Sequence, residues 1–298
     1  MESTSLISNR EKISLIIATL GRVSLTRLLS SLNDQTYKPH EVIVVHQNNG
    51  QDKYSNIKSE IEGYKGLLNI TYISRVGERG ASKARNIGLQ YVSEDVSIIS
   101  FPDDDCYFPS RCLETVCEEL GNSDFDFLSV YADDDERTGK IVNLPKTSEI
   151  IAESNALSTS IEWSLFFKAS LFKHDGYFFC EEMGVGSDGL VGADEGPDLV
   201  LSLLKGKKWG KYITSTYVLH PSPMQFEAKA LLTRGFKYSF ARSYLLKKHG
   251  LLGLKYSESI CRSLAGFILY MVRVNPKMSS YYLSCFFGKL YGLVKRVK

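Results

Sequence analysis

The stretch Ser100-Phe101-Pro102-Asp103-Asp104-Asp105-Cys106 sets three adjacent carboxylates directly after Val96-Ser97-Ile98-Ile99, an apolar run of strand length. Carboxylates crowded at a strand tip repel one another unless a cation neutralises them, so the spacing points to a bound metal. One oxygen-ligated Mg2+ or Mn2+, keeping positions for phosphate oxygens, suits such a cluster. In an open α/β sheet the C-terminal tip of a strand is also where ligands bind. A solvated acidic turn is the alternative. Phe101 and Pro102 weigh against it, because they carry the strand right up to the acids.

Elements able to position this cluster precede it. Lys12 to Ala18 reads as a buried strand ending at Thr19-Leu20-Gly21-Arg22, and Ser24 to Leu32 as a helix with leucines three and four apart. Glu41 to His46 is a second strand, closed by the turn-rich Gln47-Asn48-Asn49-Gly50. Ile57 and Ile61 mark a second helix, Asn69 to Ser74 a third strand, Ala81 to Tyr91 a third helix and Val96 to Phe101 a fourth strand. Strand and helix alternate at βαβ spacing. That predicts an α/β fold, a mostly parallel central sheet with helices on both faces.

Four ordered motifs over about 90 residues carry a resemblance. Thr19-Leu20-Gly21-Arg22 resembles a Thr-x-x-Arg turn, and Gln35 to Val45 a Gln-x-x-x-Pro-x-Glu-Val-Ile-Val-Val segment. Gly80 to Gly88 resembles a Gly-x-x-x-Ala-Arg-Asn-x-Gly helix, and Asp103-Asp104-Asp105 an Asp-x-Asp motif. Together they resemble the family 2 glycosyltransferases of GT-A (Rossmann-like) fold, including bacterial members that build surface polysaccharides. The resemblance implies inverting transfer of a sugar from a nucleoside-diphosphate donor, a UDP-sugar foremost. It implies that Asp105, with Asp103, holds Mn2+ or Mg2+ across the diphosphate, with His220 nearby. Asp103 and Asp104 would face the donor, and Thr19, Arg22 and Arg85 would line the nucleotide pocket. One departure stands out. Where the family has Asp-Asp-Gly-Ser after its second strand, this chain has His46-Gln47-Asn48-Asn49. His46 and Gln47 can still hydrogen-bond a base edge, but the carboxylate acceptor is gone.

Further on, Gly192-Ala193-Asp194-Glu195-Gly196-Pro197-Asp198 gathers acids where Pro197 can start a helix, at its positive end. It resembles the family's Glu-Asp-x-Asp-Leu motif, which supplies the catalytic base. Glu195 aligns with the first acid and Asp198, on the acceptor side, with the last. Gly196 replaces the second acid and Asp194 is extra, so the base is Glu195 or Asp194. Trp163, in the aromatic run Ile161 to Phe167, is a candidate platform for an acceptor sugar or a buried aromatic.

The 298 residues suit a catalytic domain over 1–225, with a nucleotide-sugar half (1–108) and an acceptor half (109–225), plus an extension over 226–298. Charge divides sharply along the chain. From Lys229 onward there are 14 Lys and Arg against the single acid Glu258, about +13, while the rest is close to −11. Twelve aromatics are interleaved in this basic segment. Such a helix-patterned extension suits an anionic membrane surface, and the apolar run Leu264 to Val272 is too short to span. A basic helical subdomain packed on the catalytic domain is the alternative. No nucleic-acid motif is present. Met1 to Arg10 is polar and Ile13 to Leu20 strand-like, so no signal peptide is expected. The six cysteines form no Cys-x-x-Cys pair, which fits a reducing cytoplasm. The expected location is the cytoplasmic face of the membrane, with a saccharide acceptor that is lipid-linked and an oligomer left open. A non-catalytic GT-A module that binds nucleotide-sugars or scaffolds an assembly is the competing class.

Overall fold

Apolar runs without alternation belong to strands covered on both faces. The computed structural model describes residues 11–48, 56–135, 144–187, 191–221 and 228–296, with backbone alone at 228, 229 and 255. In it the runs Ile13–Thr19 (β1) and Glu41–Asn48 (β2) are almost wholly buried. Between them lies α1 (Thr26–Asn33), followed by α2 (Ile57–Glu62), β3 (Ile70–Val76), α3 (Ala81–Leu89), β4 (Ile98–Ser100) and α4 (Cys112–Gly121). Next come β5 (Phe127–Asp134), β6 (Glu149–Ile151), α5 (Ala156–Thr159), a short 3-10 turn, β7 (Leu165–Lys168) and α6 (Ser170–Lys173). The chain ends with α7 (Glu195–Lys205), β8 (Gly210–His220), α8 (Ala228–His249), α9 (Leu254–Val272) and α10 (Pro276–Val294).

Two compact units result. The first takes in Met1–Glu78, Ala84–Phe178 and Leu203–Ser222; the second, Arg79–Lys83, Phe179–Ser202 and Pro223–Lys298. The first holds one eight-stranded sheet in the order β3-β2-β1-β4-β7-β5-β8-β6. Its β3-β2-β1-β4 half is parallel, as is the β5–β8 pair, while β7 and β6 run antiparallel to their neighbours. Chain order reverses between β1 and β4, which opens a crevice at their C-terminal ends. Leu28, Leu29 and Leu32 of α1 pack with Leu15, Ile17, Val42 and Val44 on one face of this sheet. Each such buried leucine contributes about 2 kcal/mol. On the other face Gly88 of α3 lies so close that a Cβ there would meet Ile16 Cγ2 at 2.3 Å. Helices cover both faces, as the βαβ spacing predicts.

Two motif residues turn out to brace the frame around the sheet. Gln35 is buried; its amide donates to the Pro109 carbonyl at 2.7 Å and accepts from Leu113 N–H at 3.0 Å, tying the end of α1 to the start of α4. Glu41 accepts from Ser93 N–H at 3.0 Å, fixing the approach to β4. The turn expected at Gln47 is absent. β2 runs on through Gln47 and Asn48 because both keep pairing with β3, opposite Arg75 and Val76. Asn49 and Gly50 lie outside the described residues.

The second unit contains the basic helices. Gly288 and Gly292 let α10 press on α8, since a Cβ at either would come 2.4 Å from Phe236 O or 2.6 Å from Phe240 O. Lys247 of α8 donates to the Leu293 and Lys295 carbonyls, capping the far end of α10. Asn275 caps its start by accepting from Met278 N–H, with Pro276 in the first turn.

Candidate active site

The acidic turn sits at the crevice between β1 and β4. Asp103 bridges to Ala18 at the end of β1, and Asp104 accepts a 2.6 Å hydrogen bond from Thr19 Oγ1. Burial pushes the Asp104 carboxyl up to about 7; Thr19 opposes this and the charges of Asp103 and Asp105 add to it. Asp103 accepts from the guanidinium of Arg85 at 3.0 Å. Arg85 is 1% exposed. Its guanidinium supports the turn from inside.

Asp105 faces a histidine from far along the chain. Tyr107 pairs with Leu219 through two backbone hydrogen bonds, which brings His220 to the turn. His220 Nε2 lies 3.1 Å from Asp105 Oδ1, and its Nδ1 lies 2.8 Å from the Pro221 carbonyl. Burial alone would disfavour the imidazolium, but the hydrogen bond and charge of Asp105 outweigh it and lift its pKa to about 9. Among the described residues no group of three or more His, Cys, Asp and Glu forms a metal cage. Once His220 gives up that imidazolium proton, the pair offers one oxygen and one nitrogen at the spacing of ligands that share a cation. That donor set fits a divalent metal whose remaining positions are filled by phosphate oxygens and water.

Trp163 stacks on His220 with ring centroids 5.3 Å apart and is nearly fully buried. It walls the histidine as the buried aromatic of the two alternatives, with one ring face taken by His220. His46 and Gln47 are buried within β2, and His46 Nδ1 lies 2.8 Å from the Tyr72 hydroxyl. They are interior strand residues held by β3, not an open base-binding turn. Arg22, by contrast, is exposed on the turn after β1.

A second acid run closes β5: Asp133 and Asp134 end the strand, buried opposite Leu219 and His220, and Asp135 follows it. Asp135 pairs with Arg27, whose guanidinium lies 3.6 Å from the Tyr107 ring centre. The signal was the one used for Asp103: acids at the tip of the apolar run Phe127 to Ala132.

In the second unit Glu195 is the first residue of α7 and is 2% exposed. The two acids near it have other tasks. Asp194, at φ 67°, takes two hydrogen bonds from Arg242 at 2.7 and 2.8 Å, so it anchors α8. Asp198 is buried against Lys248 and His249, each at 2.7 Å. It ties α7 to the end of α8, which removes it from the expected acceptor side. The loop before α7 presses on the start of α3: Ala81 N–H donates to the Val185 carbonyl and Ser82 Oγ to the Met183 carbonyl. Gly184 has φ 102°, and a Cβ there would lie 2.8 Å from Ser82 Oγ and 3.0 Å from the Glu195 carboxylate. Gly184→Ala is therefore expected to cost about 1–3 kcal/mol in a denaturant melt and to lower turnover at least tenfold by displacing Glu195. Unchanged melting and turnover would show that the loop yields freely.

The sequence model of glycosyl transferase family 2 matches residues 14–179, more than half of the chain. The chain belongs to glycosyl transferase family 2. This family 2 chain is 31% identical over 115 residues to YwdF of Bacillus subtilis (strain 168), an uncharacterized glycosyltransferase. That alignment spans 38% of this chain and 40% of the relative's length. Solved structures share the fold across 95% of the chain. S. aureus TarS 1-349 matches over 90% of its length at TM-score 0.56 and 16% identity, and has also been solved with UDP. The mannosyltransferase PcManGT from Pyrobaculum calidifontis, solved with GDP-Man and Mn2+, matches over 88% of its length at TM-score 0.61 and 16% identity. The GT-A fold read from the four motifs is borne out.

Proposed function

We propose that the protein is an inverting, metal-dependent glycosyltransferase. It moves a sugar from a nucleoside-diphosphate donor, foremost a UDP-sugar, to a hydroxyl of a growing, lipid-linked surface polysaccharide. The observation that carries this is the acidic turn at the reversal point of a parallel sheet, with Asp105 facing His220. Asp105 and His220 would hold Mn2+ or Mg2+, and Asp103, tied to Arg85, would set the turn. The bound metal would neutralise charge on the departing diphosphate. Thr19 orients Asp104, and Arg22 offers a cation beside the same crevice. Glu195 takes the proton from the acceptor hydroxyl, a role that rests on its motif and on its place at the start of α7. The extension over 226–298 would hold the protein on the cytoplasmic face of the membrane through its cations. Among the described residues no helix is long and apolar enough to cross.

The missing acids after β2, together with Gly196 in place of the second acid before Pro197, favour a second reading in which the module binds nucleotide-sugars without turning them over. One experiment separates the two. A panel of UDP- and GDP-sugars, the donor types solved with PcManGT and with TarS 1-349, is scored for thermal stabilisation and for release of nucleoside diphosphate. The enzyme reading expects release from UDP-sugars with Mn2+ or Mg2+, abolished by EDTA. Stabilisation by a donor with no release under any metal would favour the binding module.

A further inference from the structure

We infer that the corner joining α9 to α10 is a wedge that inserts into an anionic lipid bilayer. The inference rests on the membrane-associated reading of the extension and adds which part of it enters the lipid. The outward face of α9 changes character along its length. Its first turns present one apolar residue, Leu254, among the polar Ser257, Glu258, Cys261 and Arg262. Its last turns present Leu264, Ile268, Leu269, Met271 and Val272, and the corner adds Val274. Exposure of these apolar residues rises from 40% at Leu264 to 85% at Val274, so the surface is most apolar and most open at the tip. Apolar groups scattered singly over a surface need no explanation, but six gathered on one corner do.

Val274 adds an independent sign. Its φ is 51°, in the left-handed region that favours glycine or asparagine and penalises β-branched side chains. A Val held there while almost fully exposed bears a backbone cost that packing within the unit does not explain. A requirement for an apolar group at the tip does explain it. The chain also shortens the apolar segment well below a span: Asn275 and Pro276 turn it back into α10. The corner can therefore dip into the acyl boundary and return, as an interfacial element does.

Charge selects the occupant. Arg273 and Lys277 are exposed around the corner, and no Asp or Glu follows Glu258 in the sequence. Glu258 itself pairs with Arg262 and lies well before the apolar patch. Cations ringing an apolar tip match lipid phosphates and carboxylates above an acyl layer. Two copies of the corner would set the same cations face to face, which opposes self-association.

The test uses the full chain and vesicles of phosphatidylcholine mixed equally with phosphatidylglycerol. The unmodified chain should float with them, less so in high salt. Val274→Asp, at an exposed position where Asp tolerates the left-handed backbone better than Val, should leave melting unchanged or slightly raised and lower the bound fraction at least tenfold, because a carboxylate resists entry into hydrocarbon. With acyl chains brominated near the glycerol, Val274→Trp should show vesicle-dependent quenching beyond that of the unmodified chain, which carries buried Trp163 and exposed Trp209. If the chain floats but Val274→Asp floats equally and Val274→Trp is not quenched, the corner inference fails while the membrane reading stands. If the unmodified chain does not float, the membrane reading itself fails. If light scattering shows that Val274→Asp splits an oligomer without altering vesicle binding, the corner is a self-association surface and the inference is overturned.

Discussion

Asp105→Asn is expected to lower sugar transfer by a hundredfold or more while the protein stays folded. The substitution keeps size and shape but removes the charge that faces His220 at 3.1 Å and turns one ligand oxygen into an amide nitrogen that cannot bind a hard cation. Lewis-acid assistance to a departing phosphate is worth several kcal/mol, and each 1.4 kcal/mol or so is tenfold in rate, which sets the scale. Folding should survive with a loss of about 1–3 kcal/mol near neutral pH, because the mostly buried Asp105–His220 pair holds an imidazolium that burial alone disfavours. The measurement is release of nucleoside diphosphate with and without added Mn2+ or Mg2+, beside a thermal melt with donor present. Metal-dependent stabilisation by donor should vanish in the variant. Full activity of the unmodified protein in EDTA would end the metal role, whatever the variant does.

The parts of this architecture that were legible in the sequence are those set by neighbours along the chain. Leu28, Leu29 and Leu32 announce one helical face, and the uninterrupted runs at Ile13 and Val42 announce covered strands, because burial acts on side chains a few residues apart. The acidic turn was readable for the same reason. What local pattern did not settle depended on partners far away in sequence. β2 extends past His46 only because β3 supplies partners as far as Val76. His220 meets Asp105 only through the Tyr107–Leu219 bridge, more than a hundred residues apart. Asp194 and Asp198 look alike as acids at a helix start, yet Arg242, Lys248 and His249 occupy them both. Trp163 shows the same limit: its type allows stacking on a sugar, and the arrival of His220 takes one ring face. Asp133 and Asp134 are the exception. Their signal was local, and the same rule that found Asp103 applied to them.

Glu195→Gln is the sharpest test of the chemistry proposed for the second unit. Loss of a general base lowers turnover by about 10²–10⁴-fold, and the glutamine keeps volume and hydrogen-bonding capacity but cannot take a proton. Because Glu195 has no assigned contact with the donor, donor affinity should stay nearly constant, so kcat falls while the donor KM moves little. The position suits a carboxylate: α7 begins at Glu195, and the unsatisfied N–H groups of a first helical turn favour negative charge there. Asp194→Asn supplies the contrast. Asp194 holds Arg242 in a two-pronged pair, with Asp194 mostly buried and Arg242 half-exposed, so its loss should lower stability by about 1–3 kcal/mol in a melt and leave kcat of the folded fraction close to normal. The two variants thus move different observables. Should Glu195→Gln keep its turnover while folded Asp194→Asn loses it, the base is Asp194, and the ion pair with Arg242 must open during the reaction.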